Sequence, residues 1–115
     1  MTIAGSPPPS PTASASCARP NLPPQVVTLV RPRGAAKYLE RNHKSGIADV
    51  KVYLASDGTV VKALIIRSAG DTFLDGATYD AAVATRYQAE IRNCESVEGA
   101  YIYRARYNSA PAPAP

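Results

Sequence analysis

The chain of 115 residues has no tryptophan and contains a single histidine, a single methionine, a single phenylalanine and two cysteines. It also lacks any apolar run close to the roughly 20 residues that a membrane-spanning helix needs. Basic residues outnumber acidic ones by 13 to 9, which gives a net charge of +4, but they form no cluster in the sequence. Because nucleic-acid binding usually needs a clustered basic stripe and a motif, we expect no nucleic-acid partner.

Residues for catalysis or metal binding are equally sparse. Two distant cysteines and His43 cannot supply the four ligands of a structural zinc site. Asp71, Asp75 and Asp80 are better explained by helix capping and solvation, since positions 75 and 80 fall on different sides of a helix. No nucleophile–base pair and no glycine-rich phosphate loop is visible. We therefore predict a protein that is not an enzyme, with no catalytic residues, metal, cofactor or small-molecule substrate.

Proline is abundant, with 11 residues, and it marks both ends of the chain. Residues 1–16 consist mainly of Pro, Ser and Ala, a composition that cannot bury enough apolar surface to offset its ordering entropy. We predict a disordered tail or linker at 1–16, a folded domain at 17–108 and a disordered Pro/Ala tail at 109–115. The first residues have no secretory signal, so an exported protein would need a targeting segment that is not present in this chain.

Hydrophobic periodicity predicts the order helix, strand, strand, helix, strand within the domain. The first helix covers residues 35–44, with an apolar face at Ala35, Ala36 and Leu39, and Gly46 is expected to end it. Strict alternation from Ala48 to Leu54 then predicts a half-buried strand. The dipeptide at 57–58 supplies a hairpin turn to a return strand over 59–67.

The second helix and the last strand complete the predicted domain. Thr72 is the expected N-cap of a helix that runs from about residue 74 to 87. Its buried stripe consists of Leu74, Ala77, Ala81 and Thr85. In the last strand, over 100–108, one face carries Tyr101, Tyr103, Ala105 and Tyr107, and the other carries Ile102, Arg104 and Arg106.

The two cysteines, Cys17 and Cys94, lie at opposite ends of the folded region. An even number of cysteines in a small chain suggests a disulfide formed in an oxidising compartment. Two unrelated thiols in a cytosolic protein are the alternative. A disulfide over so long a loop would stabilise the domain by roughly 4–5 kcal/mol at most in the chain-entropy description.

Over about residues 31–107 the ordered set of motifs resembles the TonB C-terminal domain family. The matching positions are Gly46, Val50 to Leu54, Asp57-Gly58, Val60, Ala63, Ser68 to Gly70, Leu74-Asp75, Ala81-Ala82, Arg86-Tyr87, Asn93-Cys94, Val97, Gly99, Tyr101 and Tyr107. The paired cysteines are similar to those of a subgroup of small periplasmic TonB-like proteins.

The resemblance implies an α+β fold, in which two helices pack on a three-stranded antiparallel sheet. The expected strand order is second, first, last, which leaves the last strand at an edge. It further implies a periplasmic domain of the Gram-negative envelope that acts in energy-dependent transport across the outer membrane. An inner-membrane motor would be a partner only if a membrane anchor is missing from this chain.

The resemblance also places the partner-binding site on the last strand. A TonB-like domain pairs this strand with the TonB box, a short extended segment of an outer-membrane transporter, by strand addition. The predicted partner-binding residues are Ala100, Tyr101, Ile102, Tyr103, Arg104, Ala105, Arg106 and Tyr107. Arg104 and Arg106 either help to hold an acidic or polar segment or act as gatekeepers against edge-to-edge aggregation.

A second function remains open at this point. The domain could be a TonB-fold envelope adaptor or a cell-wall binding module without an energy-transducing role. Its basic charge could then bind anionic cell-wall polymers by electrostatic attraction. Such binding should weaken steeply with salt, whereas strand addition should not.

Overall fold

The computed structural model describes residues 17–108, and both proposed tails lie outside the described residues. Within this range the chain forms two helices and seven strands. In chain order they are β1 (Gln25–Thr28), α1 (Ala35–Asn42), β2 (Ser45–Leu54), β3 (Val60–Arg67), α2 (Thr72–Ala84), β4 (Arg86–Gln88), β5 (Glu90–Arg92), β6 (Glu95–Val97) and β7 (Gly99–Asn108). Neither helix in 17–108 is long and apolar enough to cross a membrane.

The predicted α+β class and the order of the main sheet are confirmed. The three long strands form an antiparallel sheet in the order β3-β2-β7, so the last strand lies at an edge. The helices cover one face of this sheet, and the opposite face faces outward.

The alternation in β2 explains how the sheet builds the core. Ala48, Val50, Val52 and Leu54 are at most 1% exposed, because side chains of every second residue point towards the helices. They pack against Leu74 of α2 and against the inward-facing residues of β7.

The hairpin between β2 and β3 has the predicted turn. The Asp57 carboxylate accepts hydrogen bonds from the backbone N–H and the hydroxyl of Thr59, at 3.0 and 2.7 Å. Gly58 has φ +90°, and a Cβ atom there would lie 2.5 Å from the Tyr87 carbonyl oxygen. Glycine is therefore required both by the backbone conformation and by the close approach of a neighbouring chain segment.

The start and end of α2 differ from the sequence prediction. Asp71, not Thr72, is the N-cap, and its side chain accepts a hydrogen bond from the Leu74 N–H. The helix ends at Ala84 instead of residue 87, because Thr85 is extended and the next residues pair with β1. The buried face also includes Thr78 and Ala82, which the predicted stripe omitted.

The first helix is shorter than predicted. It ends at Asn42, and His43 adopts the left-handed C-cap conformation, with φ 48°. Gly46 does not end the helix but lies inside β2, where a Cβ atom would come within 2.5 Å of the Ala69 carbonyl oxygen. Of the predicted apolar face, Ala35 is buried and Leu39 is half-buried, whereas Ala36 is exposed.

Four short strands were not predicted from the sequence. β1 pairs with β4, and β5 pairs with β6 in a small hairpin. The β5–β6 turn contains Asn93 and Cys94, both with positive φ, at 53° and 68°. Positive φ at both central residues is the type I′ pattern, which normally favours glycine at the second position, so the hairpin carries no strong turn signal in its sequence.

Candidate functional site

The outer edge of the main sheet is formed by β7. All ten of its residues pair in unbroken register with β2, from Gly99 opposite Leu54 to Asn108 opposite Ser45. Within residues 17–108, no other strand pairs with β7. An unpaired strand edge of this kind presents a row of free backbone donors and acceptors.

The direction of these backbone groups follows from the hairpin. The Ala55 N–H donates to the Thr59 carbonyl on the β3 side, and backbone groups of successive strand residues point to alternate sides. Odd-numbered residues of β2 therefore bond to β3, and even-numbered residues bond to β7. Because each even residue of β2 lies opposite an odd residue of β7, the outward-pointing N–H and C=O groups belong to Ala100, Ile102, Arg104, Arg106 and Asn108.

The inward-facing tyrosines hold β7 firmly on the domain. The Tyr103 hydroxyl donates to the Val30 carbonyl at 2.6 Å, and the Tyr107 and Thr78 hydroxyls lie 2.6 Å apart. Burial raises the pKa of both phenols. Neither tyrosine exposes more than 6% of its surface. β7 is thus held by β2 along its inner edge and by the core on its inward face, while its outer edge stays accessible.

Arg104 has a partner on the neighbouring strand. Its Nε and Nη2 atoms donate to the two carboxylate oxygens of Asp49, at 2.7 and 3.1 Å. The hydrogen bonds from Arg104 hold the pKa of the buried Asp49 carboxyl below its ordinary value. Arg106, in contrast, forms no salt bridge within 17–108. The two arginines of the predicted site therefore differ: Arg104 is already bound across the sheet, and Arg106 is available.

Cys17 and Cys94 form a disulfide, with Cα atoms 5.9 Å apart. This bond begins an antiparallel contact in which residues 17–30, here called the strap, run along residues 85–94. The Cys94 N–H donates to the Pro20 carbonyl, and Leu22 and Ile91 exchange two backbone hydrogen bonds at 2.9 Å. At the far end of the strap, the Val30 N–H donates to the Thr85 hydroxyl at 3.0 Å.

The strap was not predicted from the sequence, yet it supports β7 directly. Its last part supplies the carbonyl of Val30 that binds Tyr103, and Pro24 lies beside Gly99 at the start of β7. The sequence signal was the apolar and β-branched stretch from Val26 to Val30, which lies between prolines and is too short for its periodicity to identify a strand.

Two of the three acidic residues considered for metal binding have structural roles, and the third, Asp80, is exposed on α2. Asp71 caps α2 and accepts a 2.5 Å hydrogen bond from the Tyr38 hydroxyl, which lowers the pKa of Asp71. Asp75 accepts hydrogen bonds from the Ser68 hydroxyl and the Ala69 N–H. No group of three or more His, Cys, Asp or Glu side chains suited to a metal ion occurs among the residues that the structure describes.

These features define a small two-layer α+β domain whose distinguishing surface is a long, regular and unpaired edge strand. Residues 36–109 match the family model described as Gram-negative bacterial TonB protein C-terminal, and the chain belongs to this family. Searches of curated proteins and of solved structures gave no match. The family is a non-enzymatic one that acts in energy-coupled transport, is periplasmic, and interacts with outer-membrane transporters.

Proposed function

We propose that this domain binds the TonB box of an outer-membrane transporter by adding it as a fourth strand beside β7. The observation that carries the proposal is the unbroken outward row of backbone groups on β7, in a family that interacts with outer-membrane transporters. An extended peptide that pairs there satisfies those groups, and its alternate side chains meet the two faces of the sheet.

The charges on β7 favour an acidic or polar peptide. Arg106 has no salt bridge in the described range, so a carboxylate on an incoming strand can pair with it. Arg104 pairs with Asp49 and so offsets the negative charge of the acidic residue opposite it on β2. A second copy of the chain that paired antiparallel at this stretch would bring arginines together, and like charges directly opposite each other are destabilising.

The disulfide supports a role in which the domain transmits mechanical force. It ties Cys17, at the start of the domain, to Cys94, shortly before β7 begins. A pull that arrives from the N-terminal side would reach the peptide-binding strand through a covalent bond. Without the disulfide, the same pull would act first on the hydrogen bonds of the strap.

The proposal is tested by an amide NMR titration of the oxidised full chain with TonB-box peptides from the same genome and with scrambled peptides. We expect shifts that concentrate on residues 100–107 and that persist at moderate salt. If no peptide causes shifts, transporter recognition is wrong, and the envelope-adaptor alternative becomes the better explanation.

A matched pair of proline variants tests which of the two sheet edges binds the peptide. Ile102→Pro removes an outward N–H of β7 and should weaken peptide binding about tenfold, the equivalent of one lost hydrogen bond of about 1.4 kcal/mol. Ile65→Pro makes the same change at an outward position of β3, and its side chain is 44% exposed against 42% for Ile102. It should leave affinity unchanged. Equal losses in the two variants would contradict β7 as the binding edge.

A further inference from the structure

The sheet face opposite the helices, here called the open face, has a composition unlike the rest of the molecule. Cross-strand partners share a face, so the register assigns its members. They are Ile47, Asp49, Lys51 and Tyr53 of β2, Lys62, Leu64 and Arg67 of β3, and Ala100, Ile102, Arg104 and Arg106 of β7. In the described range both helices pack on the other side of the sheet.

The open face carries all of the chain's excess positive charge. It has five cations and one carboxylate, and this surplus of four equals the +4 of the entire chain. The remaining surface therefore has equal numbers of basic and acidic side chains. The sequence does not show this cluster, because its members are spread over three strands that only the fold brings together.

The one carboxylate of the open face offsets a single cation, Arg104. Asp49 is 4% exposed and is bound by two hydrogen bonds from Arg104. The other four cations, Lys51, Lys62, Arg67 and Arg106, form no salt bridge within residues 17–108. These four charges are therefore available to a ligand.

Apolar side chains lie among these cations. Leu64 and Ile102 flank Lys51 on the two neighbouring strands, and each is 42% exposed. Tyr53, the aromatic residue of the face, lies beneath the ammonium groups of Lys51 and Lys62, which are 5.1 and 5.7 Å from its ring centroid. A sugar that stacked on this ring would compete with the two ammonium groups, which favours a lipid surface over a polysaccharide.

We propose that the open face binds a membrane surface that carries anionic phospholipid headgroups. The lysine and arginine side chains pair with headgroup phosphates, and Leu64 and Ile102 enter the boundary between headgroups and acyl chains. This binding needs no transporter, so it goes beyond the proposed function. It places β7 along the membrane surface, with its outward backbone groups parallel to the bilayer.

The test is co-sedimentation of the oxidised full chain with vesicles of phosphatidylglycerol and phosphatidylcholine, compared with vesicles of phosphatidylcholine alone. We expect binding only to the anionic vesicles and a steep loss with added salt. Each basic residue near such a surface contributes a factor of about five. The double substitution Lys51→Glu with Lys62→Glu should therefore weaken binding by about 25-fold or more.

The matched control reverses the same number of basic residues on another surface of the domain. Lys37→Glu with Arg41→Glu alters two exposed residues of α1, in the helix layer, and should leave most of the binding intact. Equal losses in the two double variants would overturn the proposal, because net charge alone would then explain the binding. Melting curves of each variant verify that the fold is kept.

Two further measurements separate lipid from other anions. Leu64→Ser should lower vesicle binding severalfold without changing its salt dependence, and an unchanged affinity would overturn the insertion of this side chain. Retention on purified cell-wall sacculi as strong as retention on anionic vesicles would also overturn the proposal, because the face would then bind polyanions in general.

Discussion

The two edges of the main sheet, β3 and β7, differ in regularity although they flank the same central strand. The pairing of β3 with β2 skips Val61 and Ile66, so that β3 contains two bulges within eight residues. The pairing of β7 with β2 runs through ten residues without interruption. Both skipped side chains are exposed, at 66% and 53%.

This difference indicates which edge can accept another strand. A bulge twists the strand and breaks the regular spacing of the groups that a partner would need, and natural sheets use it to protect exposed edges. β3 has the sequence VVKALIIR and would be an aggregation hazard if it were flat. The fold therefore blocks the more apolar edge and leaves the more polar, arginine-bearing edge regular.

The largest expected effect comes from a proline at an inward position of β7. Tyr103→Pro removes a ladder hydrogen bond to Val50 and a buried ring whose hydroxyl binds the strap. Loss of a buried aromatic side chain alone costs about 3–5 kcal/mol, so we expect the domain to unfold or to melt at a much lower temperature. Circular dichroism on heating measures this.

Ile102→Pro is the internal comparison for that variant, because it changes the adjacent residue at an outward position. It should keep a melting temperature close to that of the unmodified chain. Equal destabilisation by the two prolines would show that the assigned alternation of backbone directions along β7 is wrong, and the comparison of the two edges would lose its basis.

The next largest effect concerns the disulfide, which joins the start of the strap to the segment just before β7. Cys17→Ser with Cys94→Ser releases the strap and should lower the free energy of unfolding by about 2–4 kcal/mol. Urea titration of the oxidised chain and of the double variant measures it. A thiol assay on exported protein that found two free cysteines would contradict the disulfide itself.

Hydrogen exchange can show whether the loss of stability is confined to the strap and the segment it pairs with. In the double variant, amides of the strap and of β5 and β6 should exchange faster than those of the β2–β3 hairpin, because only the former lose a covalent anchor. Uniform acceleration across the sheet would mean that the disulfide stabilises both edges equally.

The smallest expected effect is the pH dependence of the free energy of unfolding that results from the pairing of Asp49 with Arg104. The hydrogen bonds from Arg104 lower the folded-state pKa of Asp49 below its ordinary value of 3.8. This pair therefore stabilises the fold above that value, and its contribution is lost as the pH falls through the lower folded-state pKa.

Arg104→Gln should reduce that contribution, because the buried Asp49 would lose its hydrogen-bonded cation and keep only the electrostatic effect of Arg67 on the neighbouring strand. Melting temperatures measured from neutral pH down through the carboxylate range test this point. The exposed pair Arg92 and Glu90 supplies a control, since Arg92→Gln should leave the profile almost unchanged. Parallel profiles for both variants would contradict the role assigned to Arg104.

Much of the main sheet could be read from the sequence. The alternation at 48–54 identified β2 and its buried face, the dipeptide at 57–58 identified the hairpin, and the three tyrosines of residues 101–107 gave the inward face of β7. These signals succeed because each is local: a period of two or a turn residue acts within a few positions.

The predictions that were wrong or missing depend on distant partners. Thr85 ends α2 early because its hydroxyl bonds to Val30, far away in the chain. The strap consists of short segments whose hydrogen-bond partners lie more than fifty residues away. Nothing local in such segments can reveal the pairing, since the stabilisation comes from the contact and not from intrinsic propensity.

The sequence by itself determined the α+β class and the paired central hairpin through periodicity and a turn signal. Its ordered motifs gave the family resemblance, and that resemblance implied which strand lies at the edge. Only the tertiary structure decided which backbone groups of β7 point outward, that Arg104 is bound to Asp49, and that β3 is closed by bulges. It alone gathered the excess charge on the open face. Register and cross-strand contact fix these features, and both depend on residues that the sequence keeps apart.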